Sequence, residues 1–492
     1  MKFEVVIGLE VHTEMLTASK MFCGCANRFG GNPNSQTCPV CLGFPGTLPV
    51  INEKAVELAL KTALALNCSI NKDNIFARKN YFYPDMPKNY QISQFEEPLA
   101  VDGWLEATAP PPSSSSPCGG EGLSEGGSKK IRIRRVHMEE DVGKLIHPEG
   151  KGYSLIDFNR AGVPLLEIVT QPDIECPTSA YIFLTNLKAI LQYLDISDCN
   201  MEEGSLRCDA NISLKPVGQK ELGTKVEVKN MNSFRSVQRA LEYEVKRQAF
   251  LLDSPDKDTL VQETRLWDEA SGKTFPMRSK EEAQDYRYLP EPDLLPLKIP
   301  DGFIRKVKND IIELPLEKVE RLVREHQIPA YDAGVIAADK NLADFFEAVV
   351  QLGPEPKIVS NWIMTEVLSI LKEEKKVIGE LNLTPEFLGE ILAMVWQDTI
   401  TATSGKEILR LAISTGRQPK DLVAEKGLTQ ISDAASLEIL ARKALDQNPG
   451  SVEDYRSGKK NALGFLVGAV MKQSGGKANP KMVQDILRKL LE

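Results

Sequence analysis

The sequence predicts an α+β protein in which a large N-terminal part containing an antiparallel sheet is followed by two all-α parts. Three observations carry this reading. Short segments rich in β-branched residues recur as far as residue 229. Four prolines (Pro290, Pro292, Pro296 and Pro300) then crowd the approach to Asp301 and mark a linker. Beyond them apolar residues return at helical spacing.

Strands are expected at Val5–Val11, Ile131–Val136, Tyr153–Phe158, Leu165–Val169, Ala210–Leu214 and Lys225–Lys229. Between them, helical periodicity covers Glu53–Ala65, Ser179–Tyr193 and Ser236–Leu252, the last with Val237, Leu241 and Val245 on one face. The stretch Pro110–Lys130, with PPPSSSSP and many glycines, buries too little apolar surface to offset its ordering entropy; it reads as a mobile insertion between strands. The expected parts are 1–294, 295–400 and 401–492. In the second, Leu316–His326, Leu342–Gln351 and Ile358–Lys372 are helical. The third ends in Ala462–Met471, stopped by Gly475-Gly476 and Pro480, and then Met482–Leu491. Gly464 and Gly468, spaced by four, suggest close helix packing.

The composition is 42% hydrophobic and 26% charged, which supports a packed core. The longest near-uncharged apolar run, Asn461–Met471, is far short of the ~20 residues of a membrane span. The opening MKFEVVIGLEV reads as a strand and lacks signal-peptide features, so a cytoplasmic location is expected. The net charge of −9 argues against a chain that simply coats nucleic acid. That charge is unevenly distributed. Residues 401–492 hold 15 Lys and Arg against 10 Asp and Glu, leaving 45 of the 60 bases and 59 of the 69 acids in residues 1–400. A basic tail on an acidic body suits contact with a polyanion at one end, although an ordinary solvated helix surface would look the same.

Four of the nine cysteines are arranged as Cys23-Gly-Cys25, twelve residues, then Cys38-Pro-Val-Cys41. Two close thiolate pairs across a short loop match a four-cysteine zinc knuckle; the alternative is a set of reduced thiols in a metal-free loop. With four thiolates the coordination is complete, so a zinc ion here would be structural. A second constellation is acidic. Glu10, His12 and Glu14 alternate along the first strand and share a face, as a solvated strand face also would. Further carboxylates stand in HMEED (residues 137–141), at Glu202 and Glu203, at Asp209 and at Glu227. Converging, they would suit a hard cation of the Mg²⁺ type bridging to phosphate oxygens.

The segment Arg78–Gln91 mixes aromatic rings, cations and amides, a combination that stacks on bases and holds phosphates; it could equally be a proline-stiffened loop packed by its own rings. No phosphate-binding P-loop is present: Gly272-Lys273-Thr274 has the end of one, but Trp267 stands where its first glycine belongs. There is no Gly-x-Ser-x-Gly elbow and no cysteine motif marking a nucleophile beside histidine. Metal and electrostatics are therefore expected to do the chemistry.

Taken together, VIGLEVHTEM, CPVCLGFPGTLPVIN, RKNYFYPDMPKNYQISQ, HMEEDVGK, DFNRAGVPLLEIVT, MEEGSLRCDANIS, YRYLPEPDLLPL and GFLVGAVMKQSGGKANP closely resemble the B subunits of the aspartyl/glutamyl-tRNA amidotransferases. The resemblance runs in order along essentially the whole chain. It implies a large catalytic cradle domain followed by two helical domains. The implied activity is phosphorylation, with ATP and Mg²⁺, of the side-chain carboxylate of Glu-tRNA(Gln) or Asp-tRNA(Asn). The implied partners are the A and C subunits of a heterotrimer, in which the A subunit releases ammonia from glutamine. That ammonia then displaces the phosphate.

By resemblance, Glu10, His12, Glu140, Asp209 and Glu227 match metal-binding positions, with Glu139 as an alternate, and Glu10, His12, Glu140 and Lys79 carry the catalysis. Lys79, Tyr81, Tyr83, Lys88 and Tyr90 lie in the region used for nucleotide contact and the ammonia path, where Lys79 and Glu140 could relay ammonia. Lys459, Lys460, Lys472 and Lys477 are candidate tRNA contacts. The four cysteines occur in some members and not in others, which makes zinc a support of the fold. Two rivals are the E subunit of the archaeal-type enzyme, whose inserted domain these 492 residues leave little room for, and a non-catalytic tRNA-binding scaffold that docks the amidase.

Overall fold

The computed structural model describes residues 3–108, 128–148, 150–277, 286–430, 433–459, 461–475 and 477–491. Most of the expected insertion, along with Lys460, lies outside the described residues. The strand Phe3–Glu14 is central in a nine-stranded sheet, ordered Lys273–Pro276, Glu263–Asp268, Val226–Lys229, Leu206–Pro216, Phe3–Glu14, Pro164–Thr170, Ser128–Glu140, Ala100–Thr108 and Ser69–Ile70. Every pairing is antiparallel except Val226–Lys229 with Glu263–Asp268, so the sheet is mixed rather than purely antiparallel.

The sheet's two faces differ because side chains alternate along a strand. Ile7, Leu9 and Val11 of the central strand are fully buried, and Leu166, Ile168, Ala210 and Ile212 flank them on the same face. Helices Glu53–Ala65, Pro177–Tyr193 and Phe234–Leu252 contribute to this core. Their starts are set by side-chain caps: Asn52 accepts from the Lys54 and Ala55 N–H groups, and Ser233 from that of Ser236. Truncating a side chain such as Leu9 to Ala here would cost about 2–5 kcal/mol.

The aromatic and basic segment forms a hairpin, Phe76–Asn80 with Tyr90–Gln94, and its outer edge pairs with Leu289–Pro290. The strands Ala100–Thr108, Glu263–Asp268 and Lys273–Pro276 also lie beyond those expected.

The chain divides into two compact units, residues 1–318 and 319–492. The first extends past the proline-rich stretch, because Ile299 and Val307 of the segment around helix Asp301–Asn309 belong to its core. The second is helical in its described residues and has two groups of buried side chains. One runs from Leu322 to Val423, past the boundary expected at 400; the other runs from Leu437 to Leu491. In the latter, helix Asn461–Gln473 packs through Leu463, Leu466 and Val470, whereas a Cβ at Gly464 or Gly468 would meet open space. The two glycines therefore do not mediate close packing here. No described helix is long and apolar enough to cross a membrane.

Candidate active site

Strand register builds the site on the sheet's other face. In one row, His137 pairs with Glu167, Glu167 with His12, and His12 with Arg207. The next rows hold Arg135, Val169, Glu10 and Asp209 on one side, and Glu139, Leu165 and Glu14 on the other. The row geometry brings His12 Nε2 to 3.4 Å from Glu167 Oε2 and 3.8 Å from Glu139 Oε1, while His137 Nε2 lies 3.0 Å from Glu167 Oε2.

Donor atoms of His12, Glu139 and Glu167 lie within 4.8 Å of one another. Around a cation with ~2.1 Å bonds, octahedral ligands stand about 3 or 4.2 Å apart, so one imidazole and two carboxylates at these distances fit a divalent ion. Burial works against the His12 imidazolium, but Glu167 and Glu139 outweigh it and raise its pKa. Burial likewise opposes the Glu167 carboxylate, yet His137 and His12 hold its pKa well below the usual range.

The remaining expected ligands are disposed differently. Asp209 and Glu227 both face Lys229, whose Nζ stands 2.6 and 3.0 Å from their oxygens. Glu10 accepts from Asn211 Nδ2 at 2.9 Å and borders a cavity of about 220 Å³ lined by Gly8, Arg134, Asn211, Gly223 and Lys225. Glu140 leaves the group altogether. Strand alternation turns it away from Glu139, onto the row of Val136 and Met138, where it pairs with the Lys88 ammonium and accepts from Ile92 N at 3.0 Å. The residue beside His12 is therefore Glu139, not Glu140. Glu140, Lys88 and Tyr90 line a second cavity, of about 210 Å³, together with Cys23, Cys41 and Gly162.

Next to Glu139, the buried Asp141 takes Arg207 Nη2 at 2.5 Å and Arg160 Nε at 3.6 Å. Burial and the neighbouring Asp141 push the Glu14 carboxyl up to about 8.

The hairpin supplies Lys79, with its Nζ 4.9 Å from the Tyr286 ring centre and 6.0 Å from that of Tyr81. Burial disfavours its charge, but Glu139, then Tyr288, Tyr286 and Glu167, bring a net upward shift. Tyr81 meets Tyr286 edge-on, and Tyr288 stacks on Phe95 at 3.9 Å. Tyr90 lies under the Arg78 guanidinium at 4.2 Å, and Tyr83 is partly exposed on the connecting loop.

The Sγ atoms of Cys23, Cys25, Cys38 and Cys41 lie within 4.8 Å of one another, with Cys38 and Cys41 3.9 Å apart. A tetrahedron with Zn–S bonds of about 2.3 Å has edges of about 3.8 Å, so the donor set fits zinc. Hydrogen bonding to Cys23, with help from the Cys38 N–H and Lys20, brings the Cys41 thiol down to about 5.

A family model described as the GatB/GatE catalytic domain matches residues 5–305, and one described as the GatB domain matches residues 344–491. The B subunit of the aspartyl/glutamyl-tRNA(Asn/Gln) amidotransferase of Thermodesulfovibrio yellowstonii is 50% identical over 492 residues, covering 100% of each chain. Those of Caldanaerobacter subterraneus subsp. tengcongensis and Moorella thermoacetica are each 51% identical, again over 100% of each chain. The chain belongs to this B-subunit family.

Several residues of this family member's site escaped the sequence reading. Glu167 sits in PLLEIVT, and its signal was a lone carboxylate in an apolar strand. His137, Arg207 and Asp141 lie in motifs already singled out but carried no spacing that marked them. Tyr286 and Tyr288 reach Lys79 from some 200 residues away, and nothing local foretells that meeting. In the tail, Lys472 is exposed, Lys477 is partly buried, and Lys459 pairs with Asp454 at 2.8 Å.

Proposed function

We propose that this chain is the carboxylate-activating and amidating component of a tRNA-dependent amidotransferase. It would act in the cytoplasm with a glutaminase (the A subunit) and a C subunit on Glu-tRNA(Gln), Asp-tRNA(Asn) or both. The observation that carries the reading is the convergence of His12, Glu139 and Glu167 on one sheet face with Lys79 held beside them.

The chemistry requires two displacements. A carboxylate oxygen of the aminoacyl side chain attacks the γ-phosphorus of ATP, releasing ADP and forming an acyl phosphate. Ammonia then attacks the acyl carbon; phosphate departs with the C–O electrons, and loss of a proton from nitrogen leaves the amide. Such phosphoryl transfer needs positioning and charge neutralisation rather than a protein nucleophile. A divalent ion such as Mg²⁺, held by His12, Glu139 and Glu167, would supply much of that neutralisation.

Lys79 is placed to orient an anionic oxygen on the same face, and its tyrosines limit the water around it. The cavity beside Glu10, with Arg134, Lys225 and Asn211, suits the nucleotide. Asp209, Glu227 and Lys229 form its neighbouring charged border, while Tyr81 packs beside Lys79 on the hairpin, whose loop carries Tyr83. On the far side of the Ser128–Glu140 strand, the Lys88–Glu140 cavity suits the approach of ammonia. Lys459, Lys460, Lys472 and Lys477 give the basic tail its phosphate contacts, and zinc at the four cysteines supports the fold.

The test is reconstitution with the A and C subunits, charged tRNA, ATP, Mg²⁺ and glutamine. ATP hydrolysis should depend on the misacylated tRNA; hydrolysis indifferent to it overturns the kinase role, and tRNA binding without any ATP turnover supports the scaffold instead. Exchanging Lys472 and Lys477 for Glu should weaken tRNA binding across sequences and reduce the salt slope by about one per lysine.

A further inference from the structure

We propose that Lys20 is a built-in counter-ion of the four-cysteine metal centre, offsetting through Cys41 part of the negative charge that the centre carries with a divalent, thiophilic cation bound. The inference rests on reading the four cysteines as a metal centre and is independent of the amidotransferase activity.

Lys20 is 0% exposed, and the nearby Glu140 carboxylate pairs with Lys88 rather than with it. Instead Nζ donates to the Gln36 carbonyl at 2.7 Å, the Phe158 carbonyl at 3.5 Å and Cys41 Sγ at 3.8 Å. Two carbonyl dipoles do not balance a buried ammonium, and the four-sulfur centre, reached through Cys41, supplies the negative charge beside it once a divalent cation is bound.

The need is mutual. Four thiolates around a divalent cation carry a net charge of −2, and a single buried ammonium halves it. Cys41 is the sulfur most completely surrounded by donors, since the Cys38 N–H also reaches it at 3.2 Å.

The backbone is arranged to keep the lysine there. Lys20 N donates to Cys25 O at 3.0 Å and Met21 N to Gly162 O at 2.8 Å, tying the segment both to the knuckle and to the turn before Pro164. Gly162, at φ +85°, leaves the lysine's path open: a Cβ there would lie 3.5 Å from Lys20 Cδ and 3.3 Å from Cys41 Cβ. Lys20 thus joins three pieces of chain at one charge, acting through Cys41 as a positioning residue.

The test is zinc affinity of the full chain by chelator competition, alongside thermal unfolding with and without zinc. Lys20→Met should weaken zinc binding about 10–100-fold with four cysteines still available. It should lower the stability of the zinc-loaded protein more than that of the metal-free protein, because only the loaded centre carries the net charge of −2 that the ammonium offsets. Should Lys20→Met not accumulate as folded protein, Lys20→Gln, which keeps a donor without the charge, is read in its place, with at least a tenfold loss expected. Wild-type affinity in the variant, or equal destabilisation with and without zinc, overturns the role of Lys20. Absence of zinc binding by the wild type overturns the metal centre and the counter-ion with it.

Discussion

Glu139 and Glu140 are consecutive residues of one strand, both buried, yet they belong to different chemistry. Glu139 accepts from Ser93 Oγ at 3.2 Å and faces His12; Glu140 turns to Lys88 and the cavity beside the four cysteines. One peptide bond separates a carboxylate suited to a cation from one committed to an ammonium. The difference teaches that the sheet is a partition: alternation alone sends two neighbouring carboxylates of one strand to opposite sides without either reaching the other, and in the proposed function one side serves activation and the other supply.

The sharpest way to break that comparison is to neutralise each carboxylate in turn. In the reconstituted complex, Glu139→Gln or His12→Ala should reduce amidation by at least about 100-fold, since a displaced cation misplaces both reactants. ATP use should fall in parallel, with glutamine hydrolysis by the glutaminase partner largely retained. A variant that kept ATP use intact would remove His12 and Glu139 from the activation step.

Glu140→Gln should have a smaller and different effect, about a tenfold loss of amide formation measured against ATP consumed. The altered route would leave the activated intermediate to water, so ATP is hydrolysed without amide. Parallel loss of ATP use and amide, as for Glu139→Gln, would mean that the two carboxylates share one function and that the partition fails.

This partition was only half legible in the sequence. The alternation of Glu10, His12 and Glu14 was readable because three polar residues interrupt an apolar strand at period two. The expected end of the later strand at Val136, four residues short of its observed end, hid the parity that separates Glu139 from Glu140. Extended to Glu140, the same rule places Glu139 with His137, and the register carries that row to His12. The cysteine centre was readable because its spacing is local. Lys20 was not, since a lysine close to a cysteine pair says nothing of burial. The tyrosines around Lys79 depend on Leu289 pairing with Arg78, a long-range contact that periodicity cannot supply. Fold class followed from patterns repeated over many residues, whereas site membership turned on single-residue parity and distant register.

The smallest expected effect concerns a proton on the activation face. Glu14 shares the row of Glu139, and burial, reinforced by Asp141, lifts its pKa from an ordinary 4.5 to about 8. Between those values the folded chain keeps a proton that the unfolded chain has released, so stability must fall as pH rises through this window. Glu14→Gln keeps the hydrogen-bonding shape of the neutral acid and removes the titration. The stability difference between wild type and variant should therefore shift steadily in favour of the variant from pH 5 to pH 8, as followed by denaturant unfolding at each pH. Parallel curves would show that Glu14 is ionised in the folded protein. In that case Arg207 and Arg160 neutralise two carboxylates rather than one, and the face would hold one more negative charge near His12 than this row geometry assigns it.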